Sequence, residues 1–73
     1  MRVSDYGAAE AAFGELARAP DAPTRDAARL ARAQVWIAQG RSLRARPELE
    51  SLAAGGATPL LRKRAAAALD ALR

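Results

Sequence analysis

The sequence predicts an all-α fold: four antiparallel helices stacked as helix–turn–helix units, in a single domain over residues 1–73. Alanine fills 21 positions whereas Val, Ile and Thr together fill 5, so helix propensity is high and strand propensity is low. Helix-breaking residues divide the chain into segments at about 5–19, 23–39, 42–54 and 59–72. The first and third segments also resemble each other at a spacing of 36 residues, which is typical of a protein built from repeated units.

The composition restricts the chemistry that the chain can perform. There is no Cys and no His, so disulfides and thiolate sites are excluded and the commonest metal ligand is missing. We therefore expect no metal and no cofactor. We also expect no enzymatic activity, because the usual nucleophile–base pairs need these residues. No apolar run is long enough to insert in a membrane and no export signal is visible, which makes the cytoplasm the default location.

The first helix is expected to end before Pro20. Ser4 or Asp5 can cap its first turn by accepting hydrogen bonds from free backbone N–H groups. The apolar residues that recur at helical spacing are Tyr6, Ala9, Phe13, Leu16 and Ala17.

The second helix has clear boundary signals. Pro23 suits a first turn, and Gly40 is placed to end the helix in a left-handed conformation. Its wide apolar arc indicates neighbours on two sides. The arc consists of Ala27, Leu30, Ala31, Ala33, Val35, Ile37 and Ala38. The narrow remaining face carries Arg25, Arg29 and Arg32, with Trp36 among them.

The third and fourth helices differ in how clearly they begin. Ser42 is expected to cap the third helix, in which case Pro47 lies inside it; the helix is then either kinked there or begins at Pro47. Thr58 and Pro59 form a standard helix start, as N-cap and first helical residue. The expected apolar contacts are Leu43, Leu49, Leu52 and Ala53 in the third helix, and Leu61, Ala65, Ala68, Leu69 and Leu72 in the fourth.

The repeat is similar to a known family. The pattern Ala33-x-x-Trp36-x-x-x-Gly40 followed by Ala45-x-x-x-Leu49 resembles the two helices of a tetratricopeptide repeat. Residues 5–20 resemble the second helix of a preceding unit. The resemblance covers about residues 5–59, and implies a chain that starts half-way through one unit and ends on the first helix of a third.

The chain departs from this family at Arg29 and Arg32, where large apolar residues are usual, and at Pro47 inside the second helix. An unrelated four-helix bundle is the alternative fold.

The resemblance implies a non-catalytic protein-interaction or scaffold module, which binds a protein or peptide in a concave groove lined by first helices. The candidate contacts are Leu30, Gln34 and Ile37, with Arg41 and Arg44 at the edge favouring an acidic partner. Trp36 has two interpretations. It is either an aromatic packed between helices under arginine side chains, or a partly exposed anchor for the partner.

Two other functions are open. A solenoid of about two repeats exposes its apolar ends, which predicts homo-oligomerisation or contact with further repeats. The net charge of +4 also permits nucleic acid as a partner. It is the least expected one, since no recognisable motif is present and GC-rich coding accounts for the many arginines.

Overall fold

The computed structural model describes residues 6–72, which form four α-helices and no strand. The helices are α1 (Tyr6–Leu16), α2 (Ala22–Ala38), α3 (Ser42–Gly55) and α4 (Pro59–Ala71). Short connections at 17–21, 39–41 and 56–58 reverse the chain between consecutive helices, which pack on each other. The all-α prediction is confirmed, while the predicted cap at Ser4 or Asp5 lies outside the described residues.

The four helices form an open array. Within residues 6–72, α1 packs against α2 but contacts neither α3 nor α4, whereas α2 also contacts α4. This part of the chain is flat, with extents of 32 × 31 × 16 Å. In a closed four-helix bundle all four helices surround one core. Here α2 contacts the other three helices, whereas α1 lies at the edge of the array.

The hydrophobic core lies between α2, α3 and α4. Leu49 and Leu52 are its largest fully buried side chains. Alanines at the contacts, such as Ala33 and Ala45, are 0% exposed and allow the helices to approach closely. The core cluster consists of Leu30, Ala33, Trp36, Ala45, Leu49, Leu52, Leu61 and Ala65. Helix α1 contributes no buried residue between Tyr6 and Leu16.

Side-chain caps start α2 and α4. The carboxylate of Asp21 accepts a hydrogen bond from the Thr24 backbone N–H at 3.0 Å, which lowers the pKa of Asp21. The hydroxyl of Thr58 accepts one from the Leu61 backbone N–H at 3.1 Å. A proline occupies the first turn of each helix, as predicted, because its missing N–H would have no partner there.

The turn between α2 and α3 is made by Gly40, whose φ of 78° confirms the predicted left-handed conformation. The Gly40 N–H donates to Ile37 O and the Arg41 N–H donates to Trp36 O, at 3.0 and 2.7 Å. This pair of bonds is a Schellman motif. The motif brings the chain directly into α3. Arg41 is therefore the N-cap residue of α3, and its side chain makes no capping hydrogen bond. The prediction that Ser42 caps α3 is therefore wrong: Ser42 is the first helical residue.

Helix α3 is continuous through Pro47, so the alternative in which it begins at that proline is wrong. Proline removes the hydrogen bond that its backbone nitrogen would have donated to the carbonyl of Leu43, four residues earlier. Both residues face solvent, and Leu43 is 83% exposed. Water can therefore replace the missing bond. The same orientation corrects the expectation that Leu43 packs in the core.

Some residues of α1 and α2 that were predicted to be buried are exposed. Leu16 is 49% exposed because α1 has a neighbour on one side only. Ala27 and Ala38 of the predicted arc are also exposed, at little cost because alanine carries little apolar surface. Asp26 and Ala28, which the arc omits, are buried instead. The stripe predicted for α4 is confirmed as buried or half-buried along its length.

The two adjacent glycines that end α3 differ in their surroundings. A Cβ on Gly56 would lie 2.7 Å from the backbone oxygen of Leu52, whereas a Cβ on Gly55 would meet nothing within 4 Å. The Gly56 carbonyl also accepts a hydrogen bond from Arg62 Nη1 at 2.8 Å. The close approach of the chain to the end of α3 therefore requires glycine at position 56.

We expect Gly56→Ala to lower the free energy of unfolding by roughly 1–3 kcal/mol, because the clash involves backbone atoms that must shift. Urea denaturation followed by circular dichroism measures this change. Gly55→Ala is the matched control, and should stabilise the protein by about 0.5–1 kcal/mol through its higher helix propensity. Equal effects of the two substitutions would contradict the prediction.

Candidate functional site

An open apolar groove of about 380 Å³ lies between α1 and α2. This volume is within the usual range for sites that bind ligands, roughly 300–1,000 Å³. Its lining is aromatic or aliphatic apart from the Gln34 amide and the Tyr6 hydroxyl, which can form hydrogen bonds. The lining residues are Tyr6, Phe13, Ala31, Gln34, Val35 and Ala38.

The structure separates the residues that the sequence proposes for partner binding. Gln34 is exposed and lines the groove. Leu30 is 5% exposed in the core, and Ile37 is half-buried against it. Arg41 and Arg44 are exposed at the start of α3. Of the three proposed contacts on α2, Gln34 is the one on the groove wall.

Trp36 is packed between helices, at 6% exposure. The guanidinium groups of Arg32 and Arg44 lie 5.0 and 4.7 Å from its ring centroid, within the range of cation–π contact. Its Nε1–H donates a hydrogen bond to Glu10 Oε1 at 2.9 Å. This arrangement matches the first interpretation of Trp36, and it ties α1 to α2.

A carboxylate on α3 pairs with two arginines of α2. The Oε1 atom of Glu48 accepts hydrogen bonds from Arg29 Nε and from Arg32 Nη2, both at 2.9 Å. Partial burial raises the pKa of Glu48, but the two arginines lower it further, so the net pKa is below its usual value. The hydrogen bond to Glu48 in turn raises the pKa of Arg29. The two departures from the tetratricopeptide pattern at Arg29 and Arg32 are therefore accommodated by Glu48.

Asp26 is a structural residue that the sequence analysis missed. It is 5% exposed, and its Oδ2 atom accepts a hydrogen bond from the Ala57 N–H at 2.9 Å. Its Oδ1 atom lies 3.4 Å from Arg29 Nη1, at the i, i+3 spacing that lets opposite charges on one helix attract each other. Asp26 thus joins α2 to the connection between α3 and α4. No local signal indicates a partner 31 residues away.

The basic residues form three clusters in the sequence, at 25–32, 41–46 and 62–64, and these clusters have different environments. In the first cluster, Arg25 and Arg29 lie within 4 Å of Asp26, and Arg29 and Arg32 bind Glu48. These cations have a structural role in holding α2 in place. The exposed cations of the other two clusters are Arg41, Arg44, Arg46, Lys63 and Arg64.

Between residues 6 and 72, no group of three or more acidic side chains is arranged to hold a metal ion. None of the helices in that range has the length and apolar character needed to cross a membrane.

Comparisons of the chain with protein-family models, with curated proteins and with solved structures find no match. The resemblance to the tetratricopeptide repeat therefore stays a prediction from the sequence.

The lowered pKa of Glu48 predicts a pH dependence of stability. A carboxylate whose pKa is lower in the folded state stabilises the protein above its usual pKa, and this contribution is lost as the pH falls through the folded value. The loss therefore starts near the usual value of 4.5 and continues below it. We expect Glu48→Gln to lose about 1–3 kcal/mol at neutral pH and to flatten the decline in stability below about pH 4.5.

Urea denaturation at a series of pH values measures both effects. Glu50→Gln, at an exposed position of the same helix, is the control and should leave the pH profile close to that of the wild type. A Glu48→Gln profile parallel to the wild-type profile would contradict the role given to Glu48.

Proposed function

We propose that the chain is a non-catalytic protein-interaction module, which binds a peptide segment of a partner protein in the groove between α1 and α2. The observation that carries the proposal is the groove itself, in which aromatic and aliphatic side chains surround the exposed amide of Gln34. Such a surface can bury an apolar side chain of a peptide while the amide bonds to its backbone.

The groove walls suit an apolar anchor. Tyr6 and Phe13 on α1 are half-buried, and face Val35 on α2 across the groove. Aromatic walls offer a large contact area at little cost in conformational entropy, and buried anchors supply most of the affinity of protein interfaces. An aliphatic or aromatic partner residue is therefore the expected occupant.

Charge favours an acidic partner. Arg41 comes three residues after Ala38, the last residue of α2 that lines the groove, and both Arg41 and Arg44 are exposed. The chain carries a net charge of +4. Carboxylates flanking the apolar anchor would accelerate association and make the affinity sensitive to salt.

Two features of the sequence support the same function. The tetratricopeptide resemblance makes α2 a first helix, the kind that lines the binding groove in that family. The absence of His and Cys leaves the usual nucleophile–base pairs out of the chain, which supports a non-catalytic role.

The proposal is tested with a displayed library of random dodecapeptides. We expect selection to enrich acidic peptides with one aliphatic or aromatic residue. Adding such a peptide should change the NMR chemical shifts of Tyr6, Phe13 and Gln34 of the protein. Ala38→Trp places an indole in the groove from an exposed position and should weaken binding at least about tenfold. Fluorescence anisotropy of a labelled enriched peptide measures the affinity.

Ala27→Trp is the matched control, because Ala27 is exposed on the same helix but does not line the groove. It should bind the peptide with wild-type affinity. Equal binding by the Ala38→Trp variant, or shift changes confined to α4, would overturn the assignment of the groove.

A further inference from the structure

Helices α1 and α3 carry the same apolar pattern but differ in how far it is covered. Phe13 and Leu16 on α1 correspond to Leu49 and Leu52 on α3, at the spacing of 36 residues. Leu49 and Leu52 are 0% and 1% exposed, whereas Phe13 is half-buried and Leu16 is 49% exposed. The positions that build the core on α3 are therefore occupied on α1 by apolar side chains that stay partly exposed.

The difference arises because α3 has a helix on each side, α2 and α4, whereas α1 packs on α2 alone among the described residues. The side of α3 that meets α2 includes Glu48 and Ser51, which both bond to Arg29. The corresponding residues of α1 are Ala12 and Glu15, and both are exposed. Helix α1 thus lacks the neighbour that α2 provides to α3.

The neighbour that α1 lacks is a helix with the sequence pattern of α2, and α4 has this pattern. The N-caps Asp21 and Thr58 are 37 residues apart, and each is followed seven residues later by a buried alanine, Ala28 and Ala65. At this spacing, the α4 counterparts of Asp26 and Arg29 on α2 are Lys63 and Ala66. Both of these α4 residues are exposed.

We propose that α4 of a second copy packs on α1 in the way that α2 packs on α3, so that copies of the chain associate head to tail. The new contact continues an interface that already exists within the molecule. It also covers the exposed apolar surface of Leu16.

The contact places opposite charges together. In the α2–α3 interface, one guanidinium group, that of Arg29, lies 3.4 Å from Asp26 and 3.3 Å from Ser51. In the proposed interface, Lys63 takes the place of Asp26, Glu15 takes that of Ser51, and an alanine replaces the arginine between them. The two longer side chains can then reach each other and form an ion pair.

The charges of the whole helices favour the same arrangement. Helix α1 contains Glu10 and Glu15 and no basic residue, whereas α4 contains three cations at 62–64 against Asp70. Contact between α1 and α4 therefore joins opposite charges, while contact between two α1 helices brings carboxylates together. Charge thus selects the head-to-tail contact over a symmetric dimer.

A head-to-tail contact uses two different surfaces, so copies add one after another into an open chain or into a ring that closes after several copies. The mass should therefore rise beyond that of a dimer as the concentration increases. This association is independent of the peptide groove, and either proposal can fail without the other.

Sedimentation equilibrium of the full chain over a concentration series tests the proposal. We expect Glu15→Lys and Lys63→Glu each to weaken self-association about tenfold, because each places like charges in contact. An equimolar mixture of the two variants should regain wild-type association, since both of its mixed contacts join opposite charges. Glu50→Lys is the matched control, because it makes the same change of charge at an exposed position of α3.

Wild-type growth beyond the dimer, loss in both single variants and recovery in the mixture would support the proposal. Circular dichroism verifies that the variants retain their helices. A chain that stays monomeric at every concentration would overturn the proposal. The side of α1 that carries Ala12 and Glu15 would then be covered by a helix of another protein or of another segment. Oligomers that are indifferent to both charge reversals, or that stop at a dimer, would also overturn the proposal.

Discussion

One carboxylate organises the way in which the first three helices meet. Glu48 projects from α3 and accepts hydrogen bonds from Arg29 and Arg32, which are nearly one turn apart on α2. Without it, two partly buried guanidinium groups would repel each other at a helix contact. Arg32 in turn lies over Trp36, whose indole N–H bonds to Glu10 on α1. The position of α1 therefore depends, through this sequence of contacts, on the same interaction.

The candidate binding site is where packing is least complete. The contacts among α2, α3 and α4 bury Ala33, Ala45 and Ala65 completely, but α1 is attached on one side and contributes no residue to the core. Its aromatic residues Tyr6 and Phe13 are therefore available to line a groove with α2. A weakly covered element is also the one most able to adjust its position when a peptide enters.

The two proposals use different sides of α1 and are compatible. The groove is formed with the wall of α2 that carries Gln34 and Ala38, whereas head-to-tail contact uses the side that carries Ala12 and Glu15. If both hold, each copy in an assembly presents one groove. A partner with several acidic segments would then bind with an avidity above that of a single groove, because binding of the second segment is intramolecular.

Most of the secondary structure was determined by the sequence alone, because its signals are local. Thr58 caps the helix it begins, and Gly40 makes the turn that its lack of a side chain permits. The site was only partly predictable: Gln34 lies on the groove wall, but the burial of Trp36 follows from the rotation of α2 between its neighbours. Tertiary structure alone decided the bond from Asp26 to a backbone N–H 31 residues away, because such a pairing exists only when the helices have met.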